Sequence, residues 1–392
     1  MGSVGSAIDE ENLCTEITCA ARDRAIFWMP SPAEAGRRVD VILASILNSY
    51  PRIGDRPAEQ ILRRALHGVD RGEIQPSEVA GAEDEMTRMA LRDQSEAGMD
   101  LLSDGQIRWH DPVSHVARGL AGFRIEGLLR YFDTNTYYRQ PAAAGPIGRE
   151  RPFLAEAYRF AAAAAAPRPV KGIVTGPITL ARLSRDARGR GLRDLVLEIA
   201  SALNRELLDL EAAGAGFIQV DEPALARFPG ATDLLRPAMR RLVAGLSSAR
   251  VILATTFGDV TPLFDDLASL PAAILGFDVV AAMDRMEVAG AVPDGAAAAA
   301  TGLGARLAAG LFPGTGLLLG IIDGRNTRLE DPGDTYEQRV RPILEALRTS
   351  RRAAPEVHLA PNHGLEFLPR DTARAKLSLL AALRDRARQE FA

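Results

Sequence analysis

Apolar residues along this chain gather into eight short runs, and each run ends on polar residues. The first four are VDVILASILNS (39–49), GMDLLSDG (98–105), PVKGIVTGP (169–177) and GFIQVDEP (216–223). The others are RVILATTF (250–257), AILGFDVV (273–280), GLLLGIIDG (316–324) and EVHLAPNHG (356–364). Continuous apolar runs of this length read as strands buried on both faces. Apolar residues at helical spacing separate most of them, at 58–69, 77–98, 192–213, 232–246, 295–311 and 371–391. The pattern predicts β-α units in parallel and, with eight of them, a (β/α)8 barrel whose chemistry lies at the carboxyl ends of the strands.

The expected organisation is an irregular N-terminal arm over 1–30, with a short strand at 26–29, and one barrel over 31–392. The gap between the second and third runs, 106–168, is far longer than an ordinary β-α loop. It holds YFDTNTYYRQP (131–141), a concentration of aromatics in a chain that is only 5% aromatic. The gap is therefore an insertion, either a lid over the site or a hairpin packed on the wall, and the two are compatible.

Composition narrows the function classes. The 392 residues are 47% hydrophobic, enough for a large core, and the net charge of −4 comes without a basic block. No nucleic-acid surface is expected. No run approaches the roughly 20 apolar residues that span a bilayer, and no secretory pattern opens the chain, so a cytoplasmic protein is expected. The only cysteines, Cys14 and Cys19, precede the first run and read as free thiols in a reducing compartment. Cysteine-based catalysis in the barrel is excluded.

The strand ends carry the candidate chemistry. Asp221 and Glu222 are adjacent carboxylates closing an apolar strand, so each must be solvated, paired or used. Neighbours along a strand face opposite ways, so one of the two can face the mouth while the other packs sideways. Asn48 and Ser49 end the first run, and Asp104 and Gln106, with Arg108 just beyond, end the second. Asp323, Arg325 and Asn326 end the seventh and His363 the eighth, while Asp278 lies in the sixth. Each alone is ordinary turn chemistry. Together at one end of a barrel they make a polar pocket for a charged small molecule, with Arg325 and Arg108 able to grip a carboxylate.

These segments resemble cobalamin-independent methionine synthase over about 46–380, in the single-barrel form. IQVDEPAL (218–225), VKGIVTGPITL (170–180), SYPRIG (49–54) and GLEFLPRDTARAKL (364–377) carry the likeness. The resemblance implies methyl or alkyl transfer to a small thiol or amino acid such as homocysteine. The implied donor is methyltetrahydrofolate or a methyl-corrinoid, the latter with an accessory or corrinoid protein. It implies that Asp221 binds the substrate amino group, that Ser49 lies near its carboxylate, and that Gln106 replaces a glutamate. The family's zinc histidine and cysteine fall on Ala254 and Thr256. His363 and Asp278 then remain as ligands for a weaker zinc or iron site completed by water or substrate, with His363 otherwise a general acid or base.

ATTFGDV (254–260), GIIDGRNTR (320–328) and the 131–141 segment instead resemble the family's non-catalytic N-terminal barrel. Arg325 stands there in place of a proton-donating histidine, and a guanidinium stays protonated. Two other functions therefore stand beside methyl transfer. One is a non-zinc enzyme of specialised metabolism using Asp221, Asp278, Asp323 and His363. The other is a catalytically inactive binding subunit.

Overall fold

The computed structural model describes residues 39, 41–288, 296–310, 314–349, 354 and 356–391. The expected arm, Cys14, Cys19 and the strand at 26–29 lie outside the described residues. Ten strands occur among them: β1 (Val41–Ala44), β2 (Ala121–Arg130), β3 (Tyr137–Gly148), β4 (Gly172–Thr175) and β5 (Arg185–Asp186) are followed by β6 (Phe217–Asp221), β7 (Arg250–Ala254), β8 (Ile274–Asp278), β9 (Gly316–Ile322) and β10 (Glu356–Pro361).

Seven of these form one sheet in the order β1-β10-β9-β8-β7-β6-β4, and every neighbouring pair is parallel. The first and last strands are adjacent, with Ile42 opposite Val357. Alternation along the strands divides the apolar residues between two cores. Val251, Leu253, Leu275, Phe277, Leu317 and Leu319 pack with the helices in the large cluster. Ile252, Ala254, Ile274, Leu318 and Ala360 join Leu47 and Leu101 in a smaller cluster on the other face. Burial on both faces is why these strands read as unbroken apolar runs.

The second run is the exception. It contributes two isolated parallel bridges, Ser45 to Leu101 and Leu102 to Val170, and no regular strand. Its ladder stops at Ser103 because the buried Gln94 side chain takes both backbone groups of that residue. Ser103 N donates to Gln94 Oε1 at 3.0 Å, and Gln94 Nε2 donates to Ser103 O at 3.1 Å. These bridges nevertheless place Leu101 and Leu102 between β1 and β4, the two ends of the sheet order.

Helices follow the predicted periodicity. The helix Leu192–Ala212 buries Leu195, Val196, Ile199, Leu203, Leu207 and Leu210, the three-and-four spacing of a one-sided apolar stripe. Arg370–Phe391 does the same at the C-terminal end, and the Ala-rich stretch is helical over Ala296–Gly310. No helix among the described residues is long and apolar enough to cross a membrane.

The insertion holds the helix Pro112–Arg118, the antiparallel pair β2–β3, which β5 extends, and the helix Ala155–Ala165. Glu206 ties it down from the helix Leu192–Ala212. Its fully buried carboxylate accepts from Arg149 Nε at 2.6 Å, Phe153 N at 3.0 Å and Leu154 N at 2.6 Å. A buried charge with this many donors is satisfied, and removing them would leave it stranded.

Candidate functional site

Polar side chains are costly inside a sheet unless they bond to one another, and those at the ends of β1, β4 and β6 do so. Lys171, just before β4, is fully buried. Its Nζ donates to Ser45 Oγ at 3.2 Å, Ile46 O at 2.5 Å and Gln219 Oε1 at 2.7 Å. That bond turns the Gln219 amide so that its Nε2 donates to Asp221 Oδ1 at 2.7 Å. Asn48 Nδ2 donates to Asp221 Oδ2 at 3.1 Å, and Asn48 Oδ1 is fixed by Ser49 N at 2.7 Å. Burial raises the Asp221 carboxyl, while Asn48, Gln219 and the nearby Lys171 charge oppose the shift. Burial pushes Lys171 down to about 7 against the attraction of Asp221.

Above this network lies a cavity of about 530 Å³. Asn48, Ser49, Gln106, Asp221, Arg325, Asn326 and His363 line it, so the structure brings together seven of the predicted site residues. They come from the segments after β1, the second run, β9 and β10, and from the end of β6. His363 is buried, with its ring 3.8 Å from that of Phe257 and nearly perpendicular to it. Burial, then the positive Arg325, push its imidazole down to about 3, so the ring is neutral at physiological pH. Among the described residues its Nε2 has no hydrogen-bond partner.

Five predicted residues are not among those lining the cavity, and one of them, Asp323, holds its own turn by accepting from Arg325 N at 2.8 Å. Glu222 points sideways and caps the helix Pro177–Leu183. It accepts from Ile178 N at 2.9 Å, Thr179 N at 2.7 Å and Thr179 Oγ1 at 2.6 Å, and burial pushes it up to about 7. Arg108 turns to the helix Val79–Glu96, where it pairs with Asp84 and with Glu83. Asp104 accepts from Gln106 N at 2.8 Å and holds the turn in which Gln106 has φ 52°. Asp278 accepts through Oδ1 from Ala281 N at 2.9 Å and Asn362 Nδ2 at 3.0 Å, and burial raises it to about 6.

The implied metal fails on the same geometry. Ala254 and Thr256 offer a methyl and a hydroxyl, Asp278 caps the helix that follows it, and His363 packs against Phe257. Among the described residues no three His, Cys, Asp or Glu side chains come together as a metal centre. The residues at these strand ends do not fit a thiolate–imidazole zinc set.

The β2–β3 turn reaches over the mouth. Tyr131 stands edge-on to Phe257 with centroids 5.4 Å apart, and Phe132 packs on Phe257 at 5.1 Å. Asp133 pairs with Arg227 at 2.5 Å and Arg325 at 3.9 Å. Among the described residues, the three non-glycine positions with positive φ are Gln106, Phe132 and Phe257. Each such conformation costs about 1–3 kcal/mol and persists where the surroundings enforce it, commonly at functional sites. Here Gln106 and Phe257 line the cavity, and Phe132 packs on Phe257.

Sequence reasoning missed Lys171, Gln219, Phe257 and Glu366. A lysine and a glutamine inside otherwise apolar strands were the available signal for the first two. Phe257 and Glu366 carried none, since an aromatic and an acid after a strand are ordinary.

The fold is that of an α/β protein with a parallel sheet, and comparison with known proteins agrees. A B12-independent methionine synthase from Shewanella sp. W3-18-1, solved with selenomethionine, superposes with a TM-score of 0.68 at 20% identity, covering 90% of this chain and 98% of that one. A profile described as "Cobalamin-independent synthase, Catalytic domain" matches residues 50–234. The methionine synthase of Sulfurisphaera tokodaii is 26% identical over 345 residues, 86% of this chain and 90% of its own length. That of Saccharolobus solfataricus is 28% identical over 233 residues, 59% of this chain and 68% of its own length. The chain is thus similar to the cobalamin-independent synthases, over residues 50–234 for the family profile and over most of its length for the Sulfurisphaera enzyme.

Proposed function

We propose that this chain is a methionine-synthase-like methyltransferase whose acceptor is a small thiol amino acid, homocysteine. The observation that carries the reading is Asp221 at the cavity floor, its two oxygens held by Asn48 and Gln219 and its open side toward the space above. A carboxylate so fixed is a seat for an ammonium group. Ser49 and Gln106 border the same space, and Arg325 at its rim supplies a guanidinium for a carboxylate. His363, uncharged and without a partner at Nε2, suits a hydrogen bond from a thiol better than it suits a proton donor.

The chain would act as a closed (β/α)8 barrel over 31–392, with 106–168 as an insertion whose turn covers the site. The two bridges through Leu101 and Leu102, between the ends of the sheet order, support closure. The contacts of Tyr131, Phe132 and Asp133 support the lid. Methyltetrahydrofolate and a methyl-corrinoid, the latter delivered by a partner protein, are the donors to test. The second reading, a non-zinc enzyme on the same barrel, is favoured by Ala254, Thr256 and the Phe257–His363 packing.

The test is methyl transfer to L-homocysteine from each donor, with bound metal quantified on the same sample. Methionine formed and lost in Asp221→Asn supports the proposal. Ligand binding without turnover from either donor would leave a binding subunit.

A further inference from the structure

Glu366 follows β10 by five residues and lines the cavity without any role so far. Its Oε2 accepts from Ser49 Oγ. Gly364 makes room for this contact, because a Cβ there would overlap Ser49 Oγ, Glu366 Oε2 and Asn48 Oδ1. The groups whose charge or polarity reaches Glu366 come from three other segments. They are Ser49 after β1, Asp221 on β6 and the Tyr131 hydroxyl from the β2–β3 turn. Arg52, Arg325, His110 and His363 line the same cavity, and none of them pairs with Glu366.

Neither Asp221 nor Glu366 has an ion-pair partner among the described residues. The nearest buried cation, Lys171, spends its donors on Ser45, Ile46 and Gln219. Two carboxyl groups therefore face one cavity with no cation between them. A neighbouring like charge in low dielectric disfavours ionisation of a carboxyl group unless a counter-charge is present.

We propose that Glu366 and Asp221 together form the seat for the ammonium group of the substrate, with Glu366 supplying the second carboxylate. This rests on the amino-acid reading of the cavity and specifies that the ligand must carry a cation at this end. Burial and the neighbouring Asp221 raise the Glu366 carboxyl, against the Ser49 hydrogen bond. A cation arriving beside Glu366 therefore favours its ionised form. An arriving ammonium keeps its own protons, Glu366 ionises against it, and the displaced proton passes to solvent.

The experiment is calorimetric titration of the full chain with L-methionine in buffers of differing ionisation enthalpy. The desamino analogue 4-(methylthio)butyrate is titrated in parallel. Binding of L-methionine should release up to about one proton. Glu366→Gln should weaken L-methionine roughly 30-fold or more and abolish the release, while leaving 4-(methylthio)butyrate unchanged. Glu366→Asp, which keeps the charge, should retain the release and part of the affinity, separating a charge role from a packing role. Equal L-methionine affinity and equal proton release in wild type and Glu366→Gln would overturn the inference while the amino-acid reading stands. Wild-type protein that binds neither ligand would overturn that reading and this inference with it.

Discussion

Replacing Asp221 with Asn separates a binding role from a structural one, because the two effects differ in size. The substitution removes the charge and leaves the volume. It also puts an amide NH2 where one oxygen accepted, against two donors that cannot easily turn. Gln219 is held by Lys171 through Oε1, and Asn48 by Ser49 N through Oδ1. One donor then faces another, costing about 1–3 kcal/mol. The loss is offset because a carboxylate raised by burial is itself expensive to keep charged. The net change in folding stability should stay within about 2 kcal/mol, a shift of a few degrees in Tm. A buried ammonium–carboxylate contact is worth more, about 2–4 kcal/mol, or roughly 30- to 1000-fold in Kd. Calorimetry with L-methionine, paired with a thermal melt, measures both. Unchanged affinity in a folded Asp221→Asn protein would refute the assignment of this residue as the ammonium seat.

Glu222→Ala should do the reverse. It strips three hydrogen bonds from the start of the helix Pro177–Leu183 and should cost about 2–4 kcal/mol in denaturant unfolding, while ligand affinity of the folded fraction is preserved. His363 titrates at about 3 in the fold and near 6.5 unfolded. Between those values the unfolded chain binds more protons, so stability falls as pH drops from 6.5 toward 3. His363→Gln should flatten that limb of Tm against pH, and an identical limb would show that the imidazole is not the group concerned. Asp133→Ala breaks exposed ion pairs worth at most about 1 kcal/mol. It should leave Tm unchanged while speeding amide exchange in the β2–β3 turn, and unaltered exchange would show that the Asp133 ion pairs do not hold the turn.

The strands were legible because burial on both faces writes itself as uninterrupted Val, Ile and Leu. The second run failed to become a strand through Gln94, a side chain outside the run whose amide claims Ser103. At β6 the alternation of side chains was readable, and Asp221 and Glu222 do part company. Which of them faces the cavity depended on the helix start at Ile178 and Thr179, far away in sequence. Where Arg108 turns was not legible, because its partners, Glu83 and Asp84, lie on a preceding helix. The placement of Asp278 has a local reason, since a carboxylate three residues before a free helix N–H is a cap. Asn48, Ser49, Gln106 and His363 line one cavity because strand ends on one side of a parallel sheet share one space.

Methyl transfer to L-homocysteine by the full-length protein, followed as L-methionine formed from methyltetrahydrofolate or a methyl-corrinoid, tests the central claim most directly. The account predicts methionine from one of these donors in wild type, and a loss of roughly 30-fold or more in kcat/KM for homocysteine in Asp221→Asn. It is contradicted if neither donor yields methionine and L-methionine does not bind, or if Asp221→Asn turns over homocysteine as wild type does.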